Sequence, residues 1–130
     1  MLFRSSWLDV TNSEKLFGDG ITVAENIRNA VNHELGLTLS IGVSFNKVFA
    51  KMGSEYKKPD AITLITRENF KKLLWPMPVS EMFFIGSATS ERLGSYGIYK
   101  IGELTKSDRG ILFIVWIFRI CSSRFLLQKQ

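Results

Sequence analysis

The chain has 130 residues, 45% of them hydrophobic, which suits one domain or one domain and part of another. Its net charge of +5 at pH 7 favours polyanionic partners. A single cysteine and a single histidine argue against a disulfide, a zinc cluster and a catalytic triad. The apolar run Ile111–Phe118 is shorter than the ~20 residues that span a bilayer. Since no signal peptide is evident, we expect a cytoplasmic protein with no membrane role.

The first segments of the chain predict a strand followed by a helix. Met1–Thr11 is predicted as a strand, because apolar residues flank Asp9. A helix is predicted over Ile21–Leu35 and ends at Gly36. Thr22 is its expected cap, with a glutamate three residues later in the capping-box position. One apolar stripe of this helix consists of Val23, Ile27, Ala30, Val31 and Leu35.

The stretch from Leu37 to Pro59 changes from the period of a strand to that of a helix. Apolar residues alternate with small ones over Leu37–Phe45, which predicts a half-buried strand that packs closely under a helix. Asn46 is the expected cap of that helix, and Lys47 and Lys51 share its solvated face. The run ends on two lysines and a proline, an arrangement suited to an anion such as a nucleotide or DNA phosphate. A buried strand beside a solvated basic helix is the alternative, and residue chemistry leaves both open.

The second half of the chain predicts shorter elements. A strand is predicted over Ala61–Ile65 and a helix over Arg67–Leu74. Two prolines in Trp75–Pro78 cannot continue that helix and mark a boundary. Beyond it, turns and short helices alternate over Phe84–Ser87, Ala88–Leu93, Gly94–Gly97 and Ile101–Leu104. This pattern resembles a helix-hairpin-helix, which holds a DNA phosphate on turn amides, and a plain helical hairpin is the alternative.

Several segments, taken in order, resemble the Y-family lesion-bypass DNA polymerases, the DinB/UmuC-like or ImpB/MucB/SamB family. The most specific is SxGVSFNKxxAKxxSxxxKPD over Ser40–Asp60. The others are WLDVT at Trp7–Thr11, the helix Ile21–Leu35, PVSEMFFIG and GIYKIGEL. The resemblance covers Trp7 to Asp108. It implies template-directed DNA nucleotidyl transfer during translesion synthesis in DNA repair.

The resemblance also implies a fold and a domain order. We expect an α+β fold with a mixed, mainly antiparallel palm-like sheet, packed on helices and followed by a small helical partial thumb with a helix-hairpin-helix. The strands of the sheet are those near Trp7, Leu37 and Ala61. Residues 1–75 would be the C-terminal part of the palm, 76–108 the start of the thumb and 109–130 a non-family tail. Both ends of the chain are expected to be breaks, as from a truncated or frame-disrupted gene.

The catalytic motif of the family is the feature from which this chain departs. It has the form SIDExxLDVT, and its Asp-Glu pair holds two Mg²⁺ ions in the intact family. Alignment of Trp7–Thr11 puts Arg4 and Ser5 at the positions of that pair. Since neither side chain is a carboxylate, we expect no catalytic residue, no metal ligand and no cofactor bound by this chain. Asp9 lies past the pair and is interpreted as structural.

Other residues keep family roles by resemblance. Lys58 matches the lysine that contacts the triphosphate of the incoming nucleotide, dNTP in the intact family. The expected DNA-binding residues are Asn46, Lys47, Ile85, Gly86, Ser87, Thr89 and Arg92. Phe84 replaces the first glycine of the hairpin turn, and a phenylalanine resists positive φ and crowds a phosphate.

Three hypotheses follow. The first is a fragment of a Y-family polymerase that is inactive alone. The second is a non-enzymatic module that binds the DNA backbone weakly. The third is an oligomerising fragment in which the apolar tail Ile111–Phe118 pairs between copies.

Overall fold

Helices and strands alternate along the first part of the chain. The computed structural model describes residues 5–107 and divides the chain into two compact units, Met1–Phe70 and Lys71–Gln130. The elements of the first unit are α1 (Glu14–Phe17), α2 (Gly20–Leu35), β1 (Ile41–Ser44), α3 (Lys47–Tyr56) and β2 (Ile62–Ile65).

The long helix α2 forms where the sequence predicts it, but it begins on a different cap. Asp19 Oδ1 accepts hydrogen bonds from the backbone N and the Oγ1 of Thr22, at 2.9 and 2.7 Å. Thr22 is therefore a donor inside the first turn, and its prediction as the cap was wrong. Asp19 directly precedes the helix in extended backbone, the position from which a carboxylate reaches the free amides. Gly36 ends the helix at φ 63°, as predicted.

The buried face of α2 differs in part from the predicted stripe. Ala24 is the buried residue of the helix, and Val23, Ile27 and Val31 are half-buried. Ala30 and Leu35 are exposed, so the stripe is narrower than the spacing of apolar residues suggests.

The two strands pair in parallel, from Ile41 opposite Ile62 to Ser44 opposite Ile65. The chain leaves β1, crosses through α3 and returns in the same direction, and such a crossover makes its two strands parallel. The expectation of a mainly antiparallel sheet was therefore wrong for the described strands. The mixed α+β composition is confirmed.

Residues 5–11, the described part of the predicted first strand, are not a strand. Instead, Asp9 Oδ1 accepts from the backbone N of Thr11 at 2.9 Å, which turns the chain. Trp7 Nε1 donates to the carbonyl of Lys47 at 3.4 Å. The prediction that this segment belongs to the sheet was wrong. A strand needs a hydrogen-bonded neighbour, and none of the described residues pairs with this segment as a strand. The structural role expected of Asp9 is confirmed by its turn.

The contact between β1 and α3 is unusually close at Gly42. A Cβ added there would lie 1.8 Å from the carbonyl oxygen of Ala50 and 2.5 Å from the amide of Ser54. Asn46 caps α3 as predicted, because its Oδ1 accepts from the amide of Phe49 at 2.8 Å. On the inner side of the contact lie Met52, Gly53, Thr63 and Ile65, all buried.

The second unit is a small helical assembly. Its elements are α4 (Phe70–Leu74, whose first residue belongs to the first unit), a 3-10 turn (Val79–Glu81), α5 (Ser87–Ser95) and α6 (Ile101–Leu104). A core forms from Leu74, Val79, Leu93, Ile98, Ile101 and Leu104. The amide of Val79 donates to the carbonyl of Tyr99 at 2.9 Å and ties the 3-10 turn to the segment before α6. The predicted short helices beyond the prolines are confirmed.

Within residues 5–107, none of the helices has both the length and the apolar character needed to cross a bilayer. The apolar run Ile111–Phe118 and the tail 109–130 lie outside the described residues, as does Arg4.

Candidate functional site

Lys58 lies just past the end of α3 with its ammonium at the surface. Its side chain is 55% exposed, and Nζ is 2.5 Å from Oε2 of Glu55 one helical turn earlier. The chain then passes through a cis peptide to Pro59. A lysine in this position presents one positive charge at the end of a helix, where it is accessible to an anion.

Lys51 and Glu55 extend this contact back along α3. Oε1 of Glu55 accepts from Lys51 Nζ at 2.7 Å, and the same Nζ donates to Ser5 Oγ at 2.9 Å. The side chain of Lys51 is only 12% exposed, so the expectation that it is solvated was wrong. The i, i+4 spacing of Lys51 and Glu55 was the sequence signal for this pair. Both lysine contacts hold the pKa of Glu55 below its usual value, so its carboxylate stays ionised to a lower pH than that of an unpaired glutamate.

The loop that carries Lys58 is fixed from its other side by Arg28 of α2. The guanidinium donates from Nε and Nη2 to the two carboxylate oxygens of Asp60, at 2.8 and 2.9 Å. Asp60 has a positive φ of 53°, an uncommon conformation that this fork holds in place. The hydrogen bonds and the charge of Arg28 lower the pKa of Asp60. Sequence reasoning missed this pair, because the two residues are 32 positions apart.

A cavity of about 530 Å³ lies beside Lys51. Its walls are residues 5–10, α2, β1 and the middle of α3, and most of them are apolar. The polar part of the wall includes Ser5, Lys51 and Ser54. Ser5 therefore lines the cavity beside the side chain of Lys51.

The two residues at the start of α3 play unequal parts. Asn46 uses its side-chain oxygen to cap the helix, which leaves its amide nitrogen as the group available to a ligand. Lys47 is exposed, and its backbone carbonyl accepts from Trp7.

In the second unit, the turn before α5 brings the other predicted residues together. Phe84 has φ 79° and is 55% exposed, so this phenylalanine does adopt the left-handed conformation that the family fills with glycine. Gly86 is the N-cap of α5 and has no side chain to satisfy the amides of the first turn. Ile85 donates its amide to the carbonyl of Met82 at 2.9 Å, which closes the turn.

The remaining predicted residues of this turn lie on the first turns of α5. Ser87 is exposed, Thr89 is half-buried and Arg92 is exposed. The amides of Ser87, Ala88 and Thr89 find no acceptor among residues 5–107, and they lie at the positive end of the helix dipole, the usual setting for a phosphate.

Two regions of the chain match known family models. Residues 4–55 match the impB/mucB/samB family, and residues 67–98 match the HHH motif of the IMS family. The first region contains α2, β1 and most of α3, and the second contains the turn at Phe84 and α5.

Individual DNA polymerases are similar to this chain over most of its length. DNA polymerase IV of Acetivibrio thermocellus is 49% identical over 123 residues, which cover 95% of this chain and 27% of that protein. DNA polymerase IV of Clostridium kluyveri is 45% identical over 107 residues, 82% of this chain and 27% of that protein. The chain thus spans about a quarter of the length of these relatives.

Solved structures are also similar over most of the chain. DinB from Sulfolobus solfataricus has a TM-score of 0.70 at 27% identity, covering 87% of this chain and 35% of its own. The insertion ternary complex of Dbh DNA polymerase has a TM-score of 0.71 at 29% identity, covering 83% of this chain and 32% of its own. By sequence and by fold, this chain belongs to the impB/mucB/samB family, the Y-family DNA polymerases.

Proposed function

We propose that this chain forms part of the nucleotide- and DNA-holding surface of a translesion DNA polymerase that acts in DNA repair. Residues 1–75 correspond in this proposal to the C-terminal part of a palm, and residues 76–108 to the start of a thumb. Its partners are DNA, bound weakly through the backbone, and the triphosphate of a dNTP. The observation that carries the proposal is the exposed ammonium of Lys58 on a loop fixed by Arg28 and Asp60.

Lys58 is the proposed contact to the triphosphate. Its loop is fixed on the α2 side by the two hydrogen bonds between Arg28 and Asp60. A charge whose backbone is already ordered loses less entropy on binding than a lysine on a mobile loop. A hydrogen bond between this ammonium and a phosphate oxygen contributes about 1.5–3 kcal/mol.

The turn before α5 and the N-terminal end of α3 are the proposed DNA contacts. Gly86 and Ser87 would place their amides against a backbone phosphate, while Ile85 closes the turn beside them through its bond to Met82. Thr89 and Arg92 lie on the helix that follows. Lys47 and the amide of Asn46 would add a second, weaker contact to the sugar-phosphate backbone.

The residues at the family's metal position do not fit Mg²⁺. Ser5 stands where a carboxylate is needed, and Lys51 Nζ lies 2.9 Å from its oxygen. Magnesium requires carboxylate and other oxygen ligands, and an adjacent ammonium repels it. Among residues 5–107, no group of three or more His, Cys, Asp or Glu side chains is placed to hold a metal ion. We therefore propose that the 130-residue chain alone does not catalyse nucleotidyl transfer.

Triphosphate binding tests the assignment of Lys58. Lys58→Met is expected to weaken dATP binding at least about tenfold in isothermal titration, because a charged hydrogen bond is lost. Lys57→Met is the matched control, since Lys57 is the exposed lysine directly before it. Equal affinities for the two variants would contradict the role of Lys58.

Primer extension tests the catalytic proposal separately. The purified chain, a primed DNA template, all four dNTPs and either Mg²⁺ or Mn²⁺ are expected to give no extended primer. Templated incorporation would overturn the claim that the chain alone is inactive.

A non-enzymatic DNA-binding module is the second candidate function. It is favoured by Ser5 at the metal position together with the first turn of α5, which receives no side-chain cap from the described residues. This function predicts that binding to the DNA backbone weakens as the salt concentration rises. The slope of log K against log salt is expected to be about −0.9 for each phosphate contacted. Binding that does not respond to salt would exclude it.

A further inference from the structure

One carboxylate links two ammonium groups along α3. Glu55 accepts from Lys51 through Oε1 at 2.7 Å and from Lys58 through Oε2 at 2.5 Å. Both of its oxygens are therefore engaged, and the Lys58 ammonium already faces an anion from its own chain.

The two lysines are held very differently. Lys51 is 12% exposed and also donates to Ser5, so two partners and the surrounding wall fix it. Lys58 is 55% exposed, and Glu55 is its one ion-pair partner among the described residues. An exposed ion pair of this kind has a low net stability and exchanges readily, whereas the inner pair is more shielded from water. We therefore expect the pair between Glu55 and Lys58 to break more readily than the pair between Glu55 and Lys51.

We propose that Glu55 is an internal competitor for the phosphate site at Lys58. This inference rests on the proposed function of Lys58. A phosphate oxygen binds to Lys58 by replacing Oε2 of Glu55, and Lys51 retains the displaced carboxylate through Oε1. Glu55 thereby weakens triphosphate binding and keeps Lys58 paired when no nucleotide is present. Glu55 is a positioning residue, since it acts through Lys58 and not on the substrate.

The competition predicts an effect with a definite sign. Glu55→Gln keeps the shape of the side chain and removes its charge, so the variant is expected to bind tripolyphosphate roughly two- to fivefold more tightly, the range of an exposed ion pair. Glu34→Gln removes the same charge from an exposed residue in the last turn of α2 and is expected to have little effect. The affinities are measured by isothermal titration at fixed ionic strength, without metal ions.

A double-mutant cycle separates competition from a general change of charge. If Glu55 acts through Lys58, Glu55→Gln has no effect once Lys58 is methionine. Tighter binding in both backgrounds would overturn the inference, as would unchanged or weaker binding by Glu55→Gln alone. Circular dichroism of each variant checks that α3 remains folded.

The cycle also distinguishes failure of the inference from failure of the proposed function. If Lys58→Met weakens binding and Glu55→Gln does not strengthen it, the site at Lys58 stands and the competitor role is wrong. If Lys58→Met leaves tripolyphosphate binding unchanged, the phosphate site and the competitor role are both wrong.

Discussion

Gly42 is the described glycine at which an added Cβ would lie closest to another atom. Its missing side chain lets β1 approach the backbone of α3, and an added methyl would lie 1.8 Å from the Ala50 carbonyl oxygen. Backbone atoms in a strand and a helix cannot move apart without disturbing both elements. The glycine at position 42 is thus explained by packing.

Gly42→Ala is expected to destabilise the protein by about 3 kcal/mol, because the clash is with backbone and cannot relax by rotation of a side chain. Gly53→Ala is the matched control on the facing side of the same contact. Its new methyl would have its closest neighbours at 3.2–3.4 Å, and alanine favours the helix. We expect it to destabilise the protein less than Gly42→Ala, because its closest contact is at 3.2 Å and not at 1.8 Å. Urea unfolding followed by circular dichroism measures both, and equal effects would refute the close-packing explanation.

Asp60 connects the free energy of unfolding to pH. Its pKa is lowered in the folded chain by Arg28, so its contribution is complete above the ordinary pKa of an aspartate and is lost as pH falls through the folded value. Asp60→Asn is therefore expected to be less stable than the unchanged chain at pH 7, with a difference that shrinks as pH falls from about 5 to 3. Urea unfolding at several pH values measures the difference. A difference independent of pH would show that the ion pair contributes nothing.

Phe84 shows how an element can keep its shape with an unfavourable residue. The turn before α5 holds this phenylalanine at φ 79°, and the centroids of its ring and the ring of Phe83 are 3.9 Å apart. The left-handed conformation costs about 1–2 kcal/mol for a residue with a Cβ. The turn is retained, while its surface is bulkier than a glycine turn.

Phe84→Gly is expected to keep the turn folded, because glycine adopts a positive φ without steric cost, and to strengthen binding to duplex DNA, because a phosphate then meets no bulky side chain at position 84. Fluorescence anisotropy with a labelled duplex at constant salt measures the affinity. Phe83→Leu removes the same ring contact but leaves the side chain of Phe84 on the turn, so its affinity should not rise. If the glycine variant binds no better than the chain with Phe84, crowding is not what limits the turn.

At the scale of elements, the sequence predicts what short-range chemistry determines. Asn46 caps α3 and Gly36 ends α2 because the deciding contacts lie within one helical turn. Strand direction depends on the connection, and the helix between β1 and β2 required a parallel pair that alternation alone does not reveal. The segment near Trp7 has an alternating pattern, but a strand also needs a partner, which no local pattern supplies.

The candidate site follows the same division. Lys58 was predicted from the family resemblance of its motif, whereas the contacts that fix its loop required the folded chain. Arg28 reaches Asp60 from another helix, and Ser5 reaches Lys51 from 46 residues away. Such contacts leave no periodic signal in a single sequence. The pair Lys51 and Glu55 is the exception, since its spacing on α3 was visible.

For the whole molecule, charge sets how DNA binding should respond to salt. The chain carries 17 Lys and Arg against 12 Asp and Glu, and some of these cations are already paired within the chain, as Arg28, Lys51 and Lys58 are. A cation paired internally exchanges one partner for another on binding and releases less salt from the DNA than an unpaired one. Net charge therefore overstates the expected salt dependence.

Lys47 offers a direct measure of this argument. It is exposed at the start of α3, so Lys47→Gln is expected to weaken duplex binding and to reduce the slope of log K against log salt by about 0.9, the value for one phosphate contact. Lys15→Gln removes an equal charge from the exposed helix α1 and is expected to leave the slope unchanged. Anisotropy titrations over a series of salt concentrations give both slopes. Equal slopes for the two variants would mean that the chain binds DNA by its overall charge and that α3 does not face the backbone.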